Sequence, residues 1–484
     1  MQQFSLVLGL TACYFAVILG FVLYARFKST KSLLPGLNEF FLAGKNLSPL
    51  VLTFTYMGSL FSTFTVLGIP GLVYTHGISA IIFYLSLHSG GVLLFLCVAK
   101  KMRRIAENKR IFSPLEIFSD SYNSRKLGLF IAVIFTIFFM PYISLQLVGV
   151  GSFISSYTDG AITYTTGVGA MLFIIFVYLF LGGMRAIAYT DFVQIMASFI
   201  ALIAGLWLIF NHFDLSFFSV IDSINEVSPA HLTLAGAKDF YTWPLLISVS
   251  LVTASIYLQP HILTRAMMAE KDSHINFMTI GIILGFCFTA FLGLYYGLSI
   301  YLTYGSDLQA NFVMGHTFKE LGNLGILGLI ASAIMLLGAL GAAMSTADSL
   351  LISIGQMGAR DMVRPFFSIT PKRQVVLSKA IMMVVLIIAF VAGLKPPQFM
   401  TDLAIYSAIG SAVMIPTILS FQWKYRSTLA AFLSITIGLI MAFTMALYKV
   451  KTGNAFMGVH VGTLPVVSSF VTYYGVCFLK KTNS

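Results

Sequence analysis

Thirteen apolar runs, each long enough to cross a lipid bilayer, succeed one another along this chain. They are centred near residues 15, 60, 90, 138, 172, 200, 251, 288, 336, 383, 410, 437 and 469. A spanning helix needs about 20 mostly apolar residues, and in hydrocarbon only helices and closed barrels satisfy their own backbone. Runs of this length predict helices, so the chain reads as an all-α polytopic membrane protein with 13 transmembrane helices. Composition agrees, with 58% of its 484 residues hydrophobic and 10% charged, against about 25% charged in soluble domains. No segment between the runs has the length of a soluble domain. No G-x-x-x-x-G-K-[ST] occurs, so nothing points to ATP-driven pumping.

The formal net charge of +12 would suit a nucleic-acid binder if it were clustered, so its placement decides. With the amino terminus outside and the runs alternating, only Lys238, Lys319, Lys395, Lys449 and Lys451 fall on the outer side. The other 24 of the 29 Lys and Arg fall inside, a strong positive-inside bias that orients the chain N-out and C-in. The first run, 4–26, has no basic residue before it and Arg26, Lys28 and Lys31 at or after its end. It lacks the basic start and cleavage site of a signal peptide and is expected to be a true span. Cys13, Cys97, Cys287 and Cys477 lie far apart in apolar runs and are expected to be small buried hydrophobes.

Two runs carry breakers and hydroxyls at membrane depth. The second, "SPLVLTFTYMGSLFSTFTVLGIPG" (48–71), crowds Thr53, Thr55, Ser59, Ser62, Thr63 and Thr65 around Gly58. The seventh, "ISVSLVTASIYLQPH" (247–261), places Ser248, Ser250, Thr253 and Ser255 before Gln259-Pro260. Non-helical backbone at this depth is tolerated where it lines a cavity or is buried in protein. Paired interrupted helices, one per half, mark transporters built from inverted repeats, and a five-run offset fits five plus five. Weak polar packing faces are the structural alternative.

In the ninth run, helical spacing puts Ala342, Ser345, Thr346 and Ser349 on one face. Asp348 is the clearest carboxylate within a run, and an acid there is costly unless it has a function. Two hydroxyl oxygens on one turn, opposite freed carbonyls, suit a hard cation such as sodium, an extension of the oxygen-ligand rule. The competing account has both hydroxyls bonding to carbonyls one turn back. Asp191, in "GGMRAIAYTDFVQ" (182–194), either complements a helix dipole or guides a cation toward the inner side. Asp402 is expected to be a cap or solvated, and His88 a hydrogen-bonded packing residue. No cluster has transition-metal spacing and no nucleophile–base pair stands out, so no enzymatic activity and no cofactor are expected.

In order along the chain, "FFLAGKNLSP" (40–49), "GIPGLVYTHG" (68–77), "GGMRAIAYTDFVQ", "QPHILTRAMMAEKDS" (259–273) and "AAMSTADS" (342–349) resemble the sodium:solute symporter family. The resemblance implies a LeuT-type core of two inverted five-helix repeats, 48–210 and 241–422. One peripheral helix (4–26) precedes the core and two (427–480) follow it. It implies alternating access driven by an inward sodium gradient, in a bacterial inner membrane. It implies sodium ligands at the carbonyls of Gly58, Phe61 and Ala342 and the hydroxyls of Ser345 and Thr346, with Asp191 on the ion pathway. By position it places Ser59, Ser62, Thr65, Tyr84, Gln146 and Tyr257 along the solute site. Proline-type members carry an aspartate where this chain has Leu60, so sodium coordination through that acid does not carry over. The implied solute is a small organic molecule, a pantothenate-like carboxylate or an amino acid such as proline. The partners are then solute, sodium and bilayer, with no nucleic acid and no obligate protein partner. The rival readings are a proton-coupled symporter of the same fold, through Asp348 or Asp191, and a transport-derived sensor.

Overall fold

The computed structural model describes residues 2–30, 36–181, 183–237, 242–396, 400–423, 426–452, 456 and 459–482. Lys31, Lys238, Lys424 and the side chain of Asp402 lie outside the described residues, as do 397–399. No strand occurs among those described. The principal helices are α1 (Gln2–Thr30), α2 (Pro49–Gly58), α3 (Ile69–His76), α4 (Ile78–Asn108), α5 (Pro114–Ser121) and α6 (Arg125–Tyr157). They continue with α7 (Tyr164–Leu181), α8 (Met184–His212), α9 (Trp243–Thr253), α10 (Pro260–Met268), α11 (Asp272–Tyr304) and α12 (Ile326–Met357). The last are α13 (Pro371–Ala392), α14 (Met400–Ala412), α15 (Ile415–Leu419), α16 (Thr428–Thr452) and α17 (Thr463–Thr482).

Every apolar centre read from the sequence falls on a helix or a broken helix. Among the described residues, seven helices are long and apolar enough to cross a membrane, and two bent pairs bring the number to nine. The bends are 48° between α9 and α10 and 50° between α14 and α15.

The interruptions have local causes. Ser48 caps α2 by accepting from the Val51 N–H at 3.3 Å, with Pro49 in the first turn, where a missing N–H costs nothing. After Gly58 the ladder loosens, and a π turn at Phe64–Gly68 leads into α3. Pro260 has no N–H and disfavours helix at the residue before it. Gln259 accordingly sits at φ −70°, ψ 146°, and α10 starts afresh.

Helices α8 and α12 share the most extensive helix–helix contact, and α2 packs on α8, α10, α11 and α12. The broken α2 is thus enclosed on several sides. The turn leading into it is held by Arg185 of α8, which donates to Glu39, to the Ala43 carbonyl at 2.7 Å and to Asn46 Oδ1 at 2.6 Å. That turn places Ala43, Gly44 and Lys45 in the left-handed region, at φ 50°, 67° and 58°. Gly44 makes the centre of this sequence of left-handed residues affordable.

One expectation is corrected. Cys13, Cys97 and Cys287 are exposed and Cys477 is partly so. They sit on the outer surface of a helix assembly, where lipid in place of protein supplies apolar surroundings. Arg185, Arg265 and Arg360, three of the basic residues assigned to the inner side, are buried. Each long side chain turns inward to a partner, Arg360 for example to Glu116 at 2.5 Å.

Candidate ion and solute site

The break after α2 leaves carbonyls without helical partners. Its backbone hydrogen bonds run from Leu60 and Phe61 N–H to the Met57 carbonyl, and from Thr65 and Val66 N–H to that of Ser62. The Gly58 and Phe61 carbonyls are met from another helix. Thr346 Oγ1 of α12 lies 3.0 Å from each of them. One hydroxyl proton cannot serve two acceptors fully, so three oxygen atoms converge with a surplus of lone pairs, an arrangement favourable to a hard cation. Ser345 Oγ donates to the Ala342 carbonyl at 3.1 Å, the back-bonded arrangement foreseen as its structural alternative. The two hydroxyls, weighed alike from sequence, differ: Thr346 bridges helices and Ser345 bonds within its own.

Gly58 lets these helices approach. A methyl group there would sit 3.1 Å from Asp191 Cγ and 3.2 Å from Ser345 Cβ. Asp191 is the eighth residue of α8 and is fully buried. Dipole effects fade within the first turn, so the helix-dipole account of this acid is set aside. Its Oδ2 accepts from Thr55 Oγ1 at 2.5 Å and lies 3.8 Å from Arg265 Nη2. Arg265 also donates to Ser349 Oγ at 2.5 Å, and Ser59 Oγ lies 3.1 Å from the same hydroxyl. Asp348, buried in α12, is within electrostatic reach of Asp191 and Arg265. Among the described residues, neither of its oxygens has a hydrogen-bond partner, nor does Asp191 Oδ1. Two buried carboxylates thus lie near a single guanidinium, and only Asp191 is paired with it. Charges in this setting are costly unless compensated, an arrangement a further cation or a proton would relieve. The sequence reading missed Arg265. Its signal was position, one helical turn beyond Gln259-Pro260 in a run with no other charge before Glu270.

A cavity of about 30 Å³ lies on the other side of the break. Its polar lining is Thr65, His88, Tyr142 and Thr253, and its apolar walls include Leu60, Phe83 and Ile256. Small-molecule sites usually span about 300–1,000 Å³, so a solute enters only if the helices separate. Of the expected solute-site residues, Thr65 lines this space. The others are engaged nearby. Tyr84 OH is 3.0 Å from Thr289 Oγ1, and Tyr257 OH is 3.0 Å from His88 Nδ1. Ser62 Oγ accepts from the Phe64 N–H at 3.2 Å. Gln146 Oε1 accepts from the Thr63 N–H at 3.2 Å and its Nε2 donates to the Tyr142 carbonyl at 3.0 Å, so it braces the break. Ser59 belongs to the Arg265 cluster. His88 packs as expected, stacked on Phe286, but it is also part of the cavity wall.

The sodium:solute symporter family profile matches residues 40–438. The osmoregulated proline transporter OpuE of Bacillus subtilis is 28% identical over 88% of this chain and 85% of its own. The sodium/pantothenate symporter of Escherichia coli is 22% identical over 97% and 95%. Among solved structures, a sodium-coupled sialic acid symporter in its substrate-bound outward-open state superposes with a TM-score of 0.79 at 13% identity, covering 99% and 98% of the two chains. Mhp1 in its inward-facing conformation gives 0.56 at 10% identity over 90% and 91%. These structures share the fold, and the chain belongs to the sodium:solute symporter family, a family of membrane transporters.

Proposed function

We propose that the protein couples inward sodium movement to the uptake of a small organic solute by alternating access. The observation that carries this reading is Thr346 Oγ1 poised between the freed carbonyls of Gly58 and Phe61. A sodium ion held there by Gly58, Phe61, Ala342, Ser345 and Thr346 would tie α2 to α12, and Asp191 and Asp348 would draw it in electrostatically. Asp191 then offers the next anionic stop toward the inner side. No covalent chemistry is needed, because coupling is differential binding of ion and solute to two conformations.

On this reading the chain crosses a bacterial inner membrane thirteen times, N-out and C-in. Repeats 48–210 and 241–422 have α2/α3 and α9/α10 as their interrupted helices. The solute is taken at the cavity beside the break, with Thr65, Tyr84 and Tyr257 at or behind its wall.

A second reading is favoured by one observation. Both oxygens of Asp348 are buried and, among the described residues, unpartnered, which suits a carboxyl that carries a proton.

The ion site is tested without knowing the solute. Purified protein is melted in sodium, potassium or choline chloride. We expect sodium alone to raise the melting temperature, and Thr346→Val to abolish that rise, because a ligand of the native state stabilises it by mass action. Equal melting in all three salts would remove the proposed site.

A further inference from the structure

We propose that His88 is the solute-recognition residue of the cavity, and that the cavity selects small monocarboxylates lacking a free ammonium group. This rests on the transport reading above and names its solute class. His88 lines the cavity, and its hydrogen bond defines which nitrogen is on offer. Nδ1 lies 3.0 Å from Tyr257 OH, and Tyr257 is fully buried. Among the described residues His88 is that phenol's one hydrogen-bond partner, and a buried hydroxyl uses its proton where it has an acceptor. Nδ1 therefore accepts, and Nε2 carries the hydrogen. The ring is fixed by stacking on Phe286, with centroids 3.2 Å apart and planes 12° from parallel. Tyr84 packs edge-on at 4.5 Å. Among the described residues, no atom is hydrogen-bonded to Nε2, so an N–H donor is left for a ligand.

The rest of the lining sets the sign of charge. Among the described residues, no Asp, Glu, Lys or Arg lines the cavity. An ammonium group entering it would shed water with no anion among these residues to receive it, at high cost. A carboxylate meets the His88 N–H and the hydroxyls of Thr65 and Tyr142. The proposed sodium position strengthens the distinction. Leu60, which lines the cavity, lies between Gly58 and Phe61 in the chain, so the ion would sit on the same broken segment. A cation there attracts a carboxylate and repels an ammonium, and Leu60 supplies no acid to offset the repulsion. Sodium and an anionic solute would therefore bind cooperatively, each raising the affinity of the other by the same factor.

The test is thermal melting of the purified full chain, first with sodium alone and then with sodium plus pantothenate, propionate, benzoate or proline. Two variants separate the ring nitrogens: His88→Asn retains a polar atom near Nδ1 only, and His88→Gln extends an N–H toward the Nε2 position. We expect at least one monocarboxylate to raise the melting temperature and proline not to. We expect H88N to weaken the apparent affinity about tenfold or more, the scale of one hydrogen bond to a charged group, and H88Q to retain most of it. The sodium-only rise, which reports folding and the ion site, should be equal in all three proteins. Stabilisation by proline alone, by none of the solutes, or by carboxylates equally in wild type and H88N would overturn the proposal. Absence of the sodium-only rise beside a His88-dependent carboxylate effect would overturn the sodium reading and support this one.

Discussion

Thr346→Val is expected to raise the sodium concentration for half-maximal uptake at least about tenfold, because the hydroxyl is the one side-chain group joining Gly58 and Phe61 to α12. Valine is close in volume but donates nothing, so two buried carbonyls lose their partner, at about 1–3 kcal/mol for an unsatisfied group. The variant should therefore also melt earlier in the absence of sodium. Thr346→Ser keeps the hydroxyl and should restore most of the sodium response. Ser345→Ala should have the smaller effect, since Ser345 Oγ bonds only the Ala342 carbonyl of its own helix. Initial uptake rates across a sodium series measure all three. A T346V sodium curve superimposable on the wild type would show that Thr346 is a packing residue.

Arg265→Met is expected to destabilise the protein more than any change at the ion site. The guanidinium is fully buried, 3.8 Å from Asp191 and hydrogen-bonded to Ser349. Removing it leaves Asp191 without its cation, and breaking a buried pair in this way costs about 3–5 kcal/mol. The penalty comes from the orphaned charge, not from lost packing, so Asp191→Asn combined with Arg265→Met should recover part of it. Detergent-solubilised yield and melting temperature read this directly, and an R265M protein as stable as wild type would contradict the charge account. Asp191→Asn alone should fold, because asparagine still accepts from Thr55, but turn over more slowly. A normal turnover rate would take Asp191 off the ion pathway.

How far the sequence reached depends on which physical signal each residue carries. The interruptions were legible because Gly58 and Pro260 act on the backbone locally, whatever surrounds them. Thr346 was legible because helical spacing put it on a small-residue face opposite such a break. Its difference from Ser345 was not, since a hydroxyl's choice between its own helix and a neighbour depends on packing geometry. Arg265 was hidden by charge counting, which treats every arginine between two runs as inner surface. The cysteines were misplaced because hydropathy cannot separate lipid from protein interior. His88 carried no periodic signal, and the role proposed for it depends on a phenol 169 positions away in sequence.

The central claim is that sodium bound between α2 and α12 drives solute uptake, and reconstitution into proteoliposomes tests it most directly. Accumulation of labelled pantothenate would be followed under an inward sodium gradient, an inward proton gradient or neither. Accumulation above equilibrium with sodium alone, lost in T346V, is the predicted result. Accumulation driven by protons and indifferent to sodium would contradict the account and turn attention to Asp348.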